Sequence, residues 1–308
     1  MAASFCVINP LPADQPPADQ SDVWERERST WPHHEASRFV QAAGIRWHVQ
    51  RMGEGEPLIL VHGTGASTHS WRGVMPLLAR RYSVIAIDLP GHAFSDPLSP
   101  ERTSIGGMSE ALCALLESLN VSPVYGVGHS AGAVVLCKMA LERYIRPRRI
   151  VSVNGAFLPL GGSASRVFAP VVRMLGNNAS VARLLAPGAH RARATVRRLI
   201  ARTGSTLDEE GMELYERLVR QSRHVAGALR MMGNWSLHAF QESLPKIDVP
   251  MTLIVGGNDL MVPPRQAAVV QRAAKHATVR CLPGLGHLAH EENPALIADE
   301  VVRICDGG

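Results

Sequence analysis

Two kinds of hydrophobic pattern, one typical of strands and one typical of helices, alternate along the chain from Phe39 onward. Short apolar runs, typical of buried strands, are separated by segments in which apolar residues recur as on one face of a helix. This alternation predicts an α/β fold with a mostly parallel eight-stranded sheet flanked by helices, opening with a hairpin. The predicted strands are 38–42, 45–50, 58–61, 83–87, 124–128, 150–154, 251–255 and 278–282, and helical patterns lie near 70–80, 104–119, 131–143, 264–275 and 294–304.

The alternation is interrupted once, between Asn154 and Met251. This stretch has helical periodicity and no strand pattern, and it far exceeds the roughly 2–6 loop residues that usually join neighbouring elements. We therefore predict an inserted helical lid at 158–245, bordered by Pro and Gly residues. The predicted organisation is a partly irregular leader at 1–34, the first part of the α/β core at 35–157, the insertion at 158–245, and the second part of the core at 246–308.

The composition is that of a folded protein without a metal or disulfide framework. Of the 308 residues, 46% are hydrophobic and 19% are charged, which excludes an intrinsically disordered chain. Five scattered cysteines without a CxxC pair argue against disulfides and a zinc site, and they predict single buried thiols. No phosphate-binding glycine loop follows the first strand, and His33 and His34 lack partners at ligand spacing. We therefore expect neither a cofactor nor a metal.

The sequence predicts a cytoplasmic protein with no transmembrane segment. No apolar run approaches the roughly 18 residues that a membrane-spanning helix requires. The first thirty residues are rich in Pro and Asp, and they lack the basic start and apolar stretch of a signal peptide.

Arginine supplies nearly all of the positive charge. Of the 32 basic residues, only Lys138, Lys246 and Lys275 are lysines. The segment from Arg166 to Arg202 holds eight arginines and no acid. Such a segment suits an anionic lipid surface or an acidic ligand, or it is simply a solvated helix face. Because no nucleic-acid-binding motif accompanies it, we expect no nucleic acid partner.

The strongest local motif is the G-x-S-x-G pentapeptide at 128–132, directly after a predicted strand and directly before a predicted helix. A serine on such a sharp turn has its hydroxyl lifted clear of the sheet, and small flanking residues let the chain turn without clashes. The amino end of the following helix points toward the charge that develops during attack. Ser130 is therefore the predicted nucleophile.

A serine nucleophile needs a base and an acid that orients the base. With this motif the usual chain order is serine, acid, histidine. Asp259 follows the predicted strand 251–255, and His287 follows the strand 278–282. Both loops lie at the carboxyl ends of parallel strands, on the same sheet edge as Ser130, so we predict a Ser130–His287–Asp259 triad.

Other candidates for the base and the acid are less favoured. His62 and His92 follow earlier strands and are interpreted as structural, whereas His290 stays open as an alternative base. Asn154 occupies the other position at which such folds place the acid, but it has no carboxylate. Asp88 comes too early in the chain and is interpreted as structural.

Acyl transfer also needs hydrogen-bond donors for the oxyanion. The segment His62–Gly63–Thr64–Gly65 follows the strand 58–61, where this kind of fold places a loop for that purpose. We predict that the backbone amides of Thr64 and Ala131 form the oxyanion hole, a single donor of which is typically worth about 2.7–4 kcal/mol. A tight turn with no further role is the alternative for this loop.

These motifs resemble the α/β-hydrolase superfamily over residues 37–305, and more narrowly the BchO family of magnesium-chelatase accessory proteins. Ala93 departs from the family pattern, in which glycine is expected at this position of the turn. The segments that carry the resemblance are WPHHEASRFV at 31–40, RWHVQRMGEG at 46–55, HGTGASTHSW at 62–71, DLPGHAFS at 88–95, GHSAGA at 128–133, NGAFLPLGG at 154–162, TGSTLD at 203–208, HVAGALRMMGNW at 224–235 and PGLGHLAHEENP at 283–294.

The resemblance implies a role in bacteriochlorophyll synthesis, close to magnesium insertion, and transient contact with magnesium chelatase. It fits an insertion whose methionines, including Met174, offer adaptable apolar surface and whose arginines can meet the propionates of a tetrapyrrole. Packing of these methionines onto the core is the alternative. The expected substrate contacts are His129, Met231, Met232 and Trp235.

Three functions remain open from the sequence. The first is a serine hydrolase that cleaves an ester or thioester through an acyl-enzyme. The second is a non-catalytic tetrapyrrole-binding accessory or carrier protein on a hydrolase scaffold, because fold does not fix function. The third is a cofactor-free haloperoxidase or perhydrolase, which uses the same triad. A basic insertion also suits peripheral contact with an anionic membrane.

Overall fold

The computed structural model describes residues 19–159 and 185–307. Eight strands form one sheet in the order β1-β2-β4-β3-β5-β6-β7-β8. The strands are β1 (Ser37–Ala42), β2 (Ile45–Met52), β3 (Glu56–Val61), β4 (Tyr82–Ile87), β5 (Tyr125–His129), β6 (Arg149–Val153), β7 (Met251–Gly256) and β8 (Ala277–Leu282). β1 and β2 form an antiparallel hairpin and β2 runs antiparallel to β4, whereas all other neighbours are parallel. The predicted α/β fold class and opening hairpin are confirmed.

Helices cover both faces of the sheet. The helices are α1 (Asp19–Glu27), α2 (Met75–Leu78), α3 (Ile105–Ser118), α4 (Ala131–Leu141), α5 (Ala189–Ala201), α6 (Glu209–Val219), α7 (Ser222–Asn234), α8 (Leu237–Gln241), α9 (Arg265–Ala273), α10 (Ala289–Glu292) and α11 (Pro294–Cys305). One apolar core lies between the sheet and helices α3, α4 and α9. A second core lies on the other face, against α2 and α11. Because both faces are buried, the central strands are almost entirely apolar.

The predicted helix near 70–80 is broken into two short pieces. A 3₁₀ turn covers Thr68–Trp71 and α2 covers only Met75–Leu78. Between them Gly73 lies so close to Pro294 that a Cβ there would be 2.7 Å from the proline ring. Packing of this segment against the start of α11 therefore overrides its helical periodicity.

The described residues between β6 and β7 contain helices α5 to α8 and no strand. We call this part of the chain the helical insertion; its predicted limits at 158–245 stay a prediction. Met174 and the three arginines from 166 to 183 lie outside the described residues.

The end of the predicted leader packs against the core. The ring of Trp24 on α1 lies 4.9 Å from that of Phe94, and Trp31 is only 1% exposed. Arg217 of α6 forms an ion pair with Glu27 and donates a hydrogen bond to the Thr30 hydroxyl at 2.6 Å. This part of the leader is therefore joined to the helical insertion.

The thiols are not all buried. Cys113, Cys137 and Cys305 lie in the interior, as expected, whereas Cys281 is exposed. Cys281 lies on β8, and β8 is an edge strand of the sheet. Cys6 falls outside the described residues.

Candidate active site

Ser130 lies on a strained turn between β5 and α4. Its backbone angles are φ 49° and ψ −114°, which a residue other than glycine rarely adopts. Gly132 permits the turn, because a Cβ there would lie 2.1 Å from the Val61 carbonyl oxygen. The Ser130 amide donates to the Val153 carbonyl at 3.0 Å, which fixes the turn to β6. The residue is 9% exposed.

His287 and Asp259 form a buried hydrogen-bonded pair. The distance from His287 Nδ1 to Asp259 Oδ2 is 2.8 Å. The other carboxylate oxygen, Oδ1, accepts from the amides of Met261 and Val262, both at 2.8 Å. Because Asp259 can only accept while ionised, it holds the proton of neutral His287 on Nδ1. The Nε2 lone pair is then free to take a proton from a nucleophile.

Among the described residues, the Ser130 hydroxyl makes no hydrogen bond to this pair. Within the described chain, the His287 ring is bonded to Asp259 and not to the Ser130 hydroxyl. The ring of His129, the neighbour of Ser130, has its centroid 4.8 Å from that of His287. Bonds between a nucleophile and its base are commonly long before substrate binds, so this arrangement suits the roles predicted for both residues.

The predicted oxyanion loop contacts the elbow directly. A Cβ on Gly63 would lie 2.9 Å from the Cβ of Ser130, so only glycine allows this approach. Thr64 follows Gly63, and Ala131 is the first residue of α4. The first amides of a helix have no partner within it, so the Ala131 amide is available to an oxyanion. The Thr64 hydroxyl donates to Met231 Sδ at 3.3 Å.

Asn154 holds the loop that carries His287, a role that the sequence did not reveal. Its Nδ2 donates to the carbonyls of Gly286 and His287, both at 2.7 Å, and its Oδ1 accepts from the Gly256 amide at 2.7 Å. Its φ of 49° directs the chain at the end of β6. The only signal in the sequence is an amide-bearing residue at the other position at which such folds place the acid.

His129 also donates a hydrogen bond to the His287 carbonyl. Its Nε2 donates to the His287 oxygen at 3.0 Å, and its Nδ1 is buried without a hydrogen-bond partner among the described residues. Burial lowers the pKa of His129 well below its usual value, and the nearby His290 and His287 add to the effect. His129 is therefore a neutral side chain of the interior.

The other histidines near the site are bonded within the structure. His62 Nε2 accepts from the Leu89 amide at 2.9 Å, while its Nδ1 donates to the Gly63 carbonyl. His290 Nε2 donates to the Ser70 hydroxyl at 2.7 Å. Burial, followed by His287 and Arg72, lowers the pKa of His290 to about 3. His290 is thus a poor candidate for a base at neutral pH.

Asp88 and His92 also lie in structural positions. Asp88 accepts from the Thr68 amide at 2.7 Å and from His48 Nδ1 at 2.7 Å. Burial opposes its ionisation, but the charge and hydrogen bond of His48 outweigh burial and hold the pKa of Asp88 at about 2. His92 Nδ1 donates to the Pro90 carbonyl at 3.2 Å.

The expected substrate contacts fall in different places. Met231 is buried against the oxyanion loop, and Trp235 donates from its ring nitrogen to the Thr103 carbonyl at 3.1 Å. Met232 is 51% exposed. Only His129 and Met231 therefore adjoin the residues predicted for catalysis.

In the described ranges 19–159 and 185–307, no group of three or more His, Cys, Asp or Glu side chains is placed to hold a metal ion. No helix of these ranges is long and apolar enough to span a bilayer.

Comparison with known proteins agrees with this architecture. The magnesium-chelatase 30 kDa subunit of Rhodobacter capsulatus is 38% identical over 266 residues, which is 85% of this chain and 92% of that protein. This similarity confirms the resemblance to the magnesium-chelatase accessory proteins.

Two solved structures share the fold. An alpha/beta hydrolase fold protein from Burkholderia ambifaria has a TM-score of 0.73 at 24% identity, over 87% of this chain and 97% of that chain. A thermophilic esterase from Thermogutta terrifontis has a TM-score of 0.71 at 20% identity, over 88% and 98% of the two chains. The family described as alpha/beta hydrolase fold matches residues 56–294. Because this match spans most of the chain, the protein belongs to the alpha/beta-hydrolase family.

Proposed function

We propose that the protein is a serine hydrolase that cleaves an ester or thioester through an acyl-enzyme. The observation that carries this proposal is the buried His287–Asp259 hydrogen bond of 2.8 Å, in a loop whose His287 carbonyl accepts from His129, the residue before the strained Ser130 turn. The bond fixes the proton of neutral His287 on Nδ1 and leaves Nε2 as the base. A serine hydroxyl needs such a base to become a nucleophile.

In the proposed reaction, the Ser130 oxygen bonds to the substrate carbonyl carbon as its proton moves to His287 Nε2. The carbonyl electron pair moves to oxygen, and the amides of Thr64 and Ala131 stabilise the resulting oxyanion. When the tetrahedral intermediate collapses, the bond to the leaving group breaks and His287 gives its proton to the departing alcohol or thiol. Water, deprotonated by His287, then attacks the acyl carbon; the bond from that carbon to the Ser130 oxygen breaks, His287 returns the proton to Ser130, and the acid is released.

The proposed substrate is a tetrapyrrole ester or a related molecule near magnesium chelation, because the relative at 38% identity is named as a magnesium-chelatase subunit. The exposed Arg191 and Arg198 lie on one side of α5, and the exposed Arg202 directly follows that helix; none of the three makes an ion pair with a described residue. Guanidinium groups suit carboxylates such as propionates. We further propose a cytoplasmic location, with transient contact with the chelatase and peripheral contact with membrane.

A non-catalytic carrier of a tetrapyrrole is the second candidate. It is favoured by the name of the relative, a magnesium-chelatase subunit. A haloperoxidase or perhydrolase would use the same serine, so labelling of Ser130 does not separate it from an esterase.

Fluorophosphonate labelling, followed by mass spectrometry, tests the hydrolase directly. We expect an adduct on Ser130 in the native protein, none in Ser130→Ala, and slower labelling when protoporphyrin is added. Ser152→Ala is the control, because its hydroxyl lies buried on the adjacent strand without a hydrogen-bond partner in the described structure. That variant should be labelled like the native protein. A folded native protein that takes no label contradicts the hydrolase and supports the carrier.

A further inference from the structure

The turn Thr203–Gly204–Ser205 of the helical insertion contacts both loops that carry the proposed acid and base. It lies between α5 and α6, more than 50 positions before Asp259 in the chain. The Thr203 carbonyl accepts two hydrogen bonds, from the His287 amide at 3.0 Å and from the Leu260 amide at 3.3 Å. One carbonyl of the insertion thus joins the base loop to the residue after the acid.

Ser205 adds side-chain bonds to the same loop. Its hydroxyl accepts from the Leu288 amide at 2.8 Å and donates to Glu292 Oε1 at 2.7 Å. The same carboxylate oxygen accepts from the Gly286 amide at 2.7 Å. The amides of three successive residues, Gly286 to Leu288, are therefore bonded to Glu292, Thr203 and Ser205.

The backbones at this contact approach too closely for side chains. Gly204 has φ 74°, and a Cβ there would lie 2.0 Å from the Asn258 carbonyl oxygen. A Cβ on Gly286 would lie 2.4 Å from the Gly204 carbonyl carbon. Two glycines thus let the turn lie directly on the acid and base loops.

The core holds His287 through its carbonyl group, whereas the insertion holds it through its amide. The His287 carbonyl accepts from Asn154 and His129, while its amide donates to Thr203. The position of the His287 backbone is therefore set jointly by the core and the insertion. Because the ring must point its Nδ1 at Asp259, a shift of this backbone changes the geometry of the pair.

We propose that the turn 203–205 positions His287, so that the helical insertion completes the acid–base pair instead of acting only as a cover. This part of the insertion then stays in contact with the core during turnover, and substrate enters elsewhere. The proposal deepens the proposed hydrolase function and rests on it for its activity readout. Ser205 is a positioning residue, since it acts through His287.

The test compares Ser205→Ala with the native protein and with Ser205→Thr, which keeps the hydroxyl. One readout is the far-downfield proton resonance of His287 Nδ1–H in its bond to Asp259, assigned by its absence in His287→Gln. The other is the rate of fluorophosphonate labelling of Ser130. We expect Ser205→Ala to broaden or lose the resonance and to slow labelling at least ten-fold, and Ser205→Thr to restore both.

Asp208→Ala is the matched control in the same insertion. Asp208 caps α6 at Gly211 and pairs with Arg72 at 2.8 Å, and it makes no contact with the turn 203–205 among its hydrogen bonds. Urea unfolding measures how far each variant is destabilised. The control should keep both the resonance and the labelling rate.

The outcomes separate the two proposals. If the native protein is never labelled but Ser205→Ala loses the resonance, the positioning role stands and the hydrolase function fails. If Ser205→Ala retains the resonance and labels within two-fold of the native rate, the positioning role is overturned. It is also overturned if Asp208→Ala loses the resonance to the same degree, because general loosening of the insertion then explains the loss.

Discussion

At the scale of single residues, Asn154 and Ala93 show how close packing assigns roles that residue type alone does not. Asn154 follows β6, at the other position at which such folds place the acid, and it donates to two carbonyls of the His287 loop. An amide can donate there and a carboxylate cannot. Ala93 stands where glycine was expected, and its φ of 41° is indeed in the region that favours glycine. The amide of Ala93 donates to His224 Nδ1 at 3.1 Å, which helps to hold that conformation.

The amide of Asn154 predicts the effect of a conservative substitution. Asn154→Asp places carboxylate oxygens against the carbonyls of Gly286 and His287, so two attractive contacts become repulsive. We expect the free energy of unfolding to fall by about 3 kcal/mol and labelling of Ser130 to slow at least ten-fold. Urea unfolding and the fluorophosphonate rate measure the two effects.

Asn258→Asp is the matched control, because it makes the same chemical change at an exposed position on the acid loop. It should change stability by less than about 0.5 kcal/mol. Equal effects of the two substitutions would show that Asn154 has no special role.

At the scale of elements, helix α7 is fixed to two loops of the core by one histidine. His224 Nδ1 accepts from the Ala93 amide, and its Nε2 donates to the Gly65 carbonyl at 3.1 Å. These two bonds require the neutral ring. Burial lowers the pKa of His224 from 6.5 to about 4, with a further lowering from His62 and an opposing effect of the Gly65 bond.

His224→Phe keeps a ring but removes both hydrogen bonds. It leaves the Ala93 amide and the Gly65 carbonyl unpaired, which costs about 1–3 kcal/mol for each group. The difference in the free energy of unfolding between the unsubstituted protein and His224→Phe should shrink in acid. The reason is that His224 stays neutral in the folded protein but takes up a proton below pH 6.5 in the unfolded chain. Between about pH 7.5 and pH 5.5 we expect the difference to narrow by about 1.4 kcal/mol, as measured by urea unfolding at both pH values. A difference that does not change with pH would contradict the neutral state of His224 in the folded protein.

The leader is the element whose packing the sequence predicted least. Its Pro- and Asp-rich composition suggested irregular chain, but α1 begins at Asp19 and Trp31 lies in the interior against Phe94. The aromatic rings of Trp24, Trp31 and Phe94 bury a large apolar area on few residues. Tertiary contacts therefore order a segment that local propensity does not.

At the scale of the whole molecule, six buried histidines have a lowered pKa. Burial is the largest cause that lowers each of their pKa values below the usual 6.5. The histidines in this group are His62, His69, His92, His129, His224 and His290. In the unfolded chain all six take up protons as the pH falls through 6.5, whereas in the folded protein they do so only at lower pH.

The protein should therefore lose stability steeply in mild acid. Each such histidine contributes up to about 1.4 kcal/mol per pH unit below pH 6.5, and the loss ends when the pH falls below its folded pKa. We expect unfolding near pH 5.5 to take up protons on these histidines, about two of them on His224 and His290, whose pKa values in the folded protein are about 4 and about 3. The measurement is the urea midpoint at several pH values, together with the proton uptake on thermal unfolding. An uptake of less than one proton would contradict the neutral, buried state of these rings.

The sequence by itself determined the alternation of strands and helices, the turn that carries Ser130, and the loops that carry Asp259 and His287. These features are local, because strand periodicity, a G-x-S-x-G turn and a loop after a strand are each encoded within a short segment. The sequence also placed Asp259 and His287 on one sheet edge, since parallel strands end together.

Only the tertiary structure decided how that edge is held. The contacts of Asn154, of the turn 203–205 and of His224 join residues from 57 to 159 positions apart, and no local pattern predicts them. The helix near 70–80 was broken by packing against Pro294, and Trp31 was buried by aromatic partners. Such contacts depend on where close-packed surfaces meet, which is a property of the folded chain and not of any segment within it.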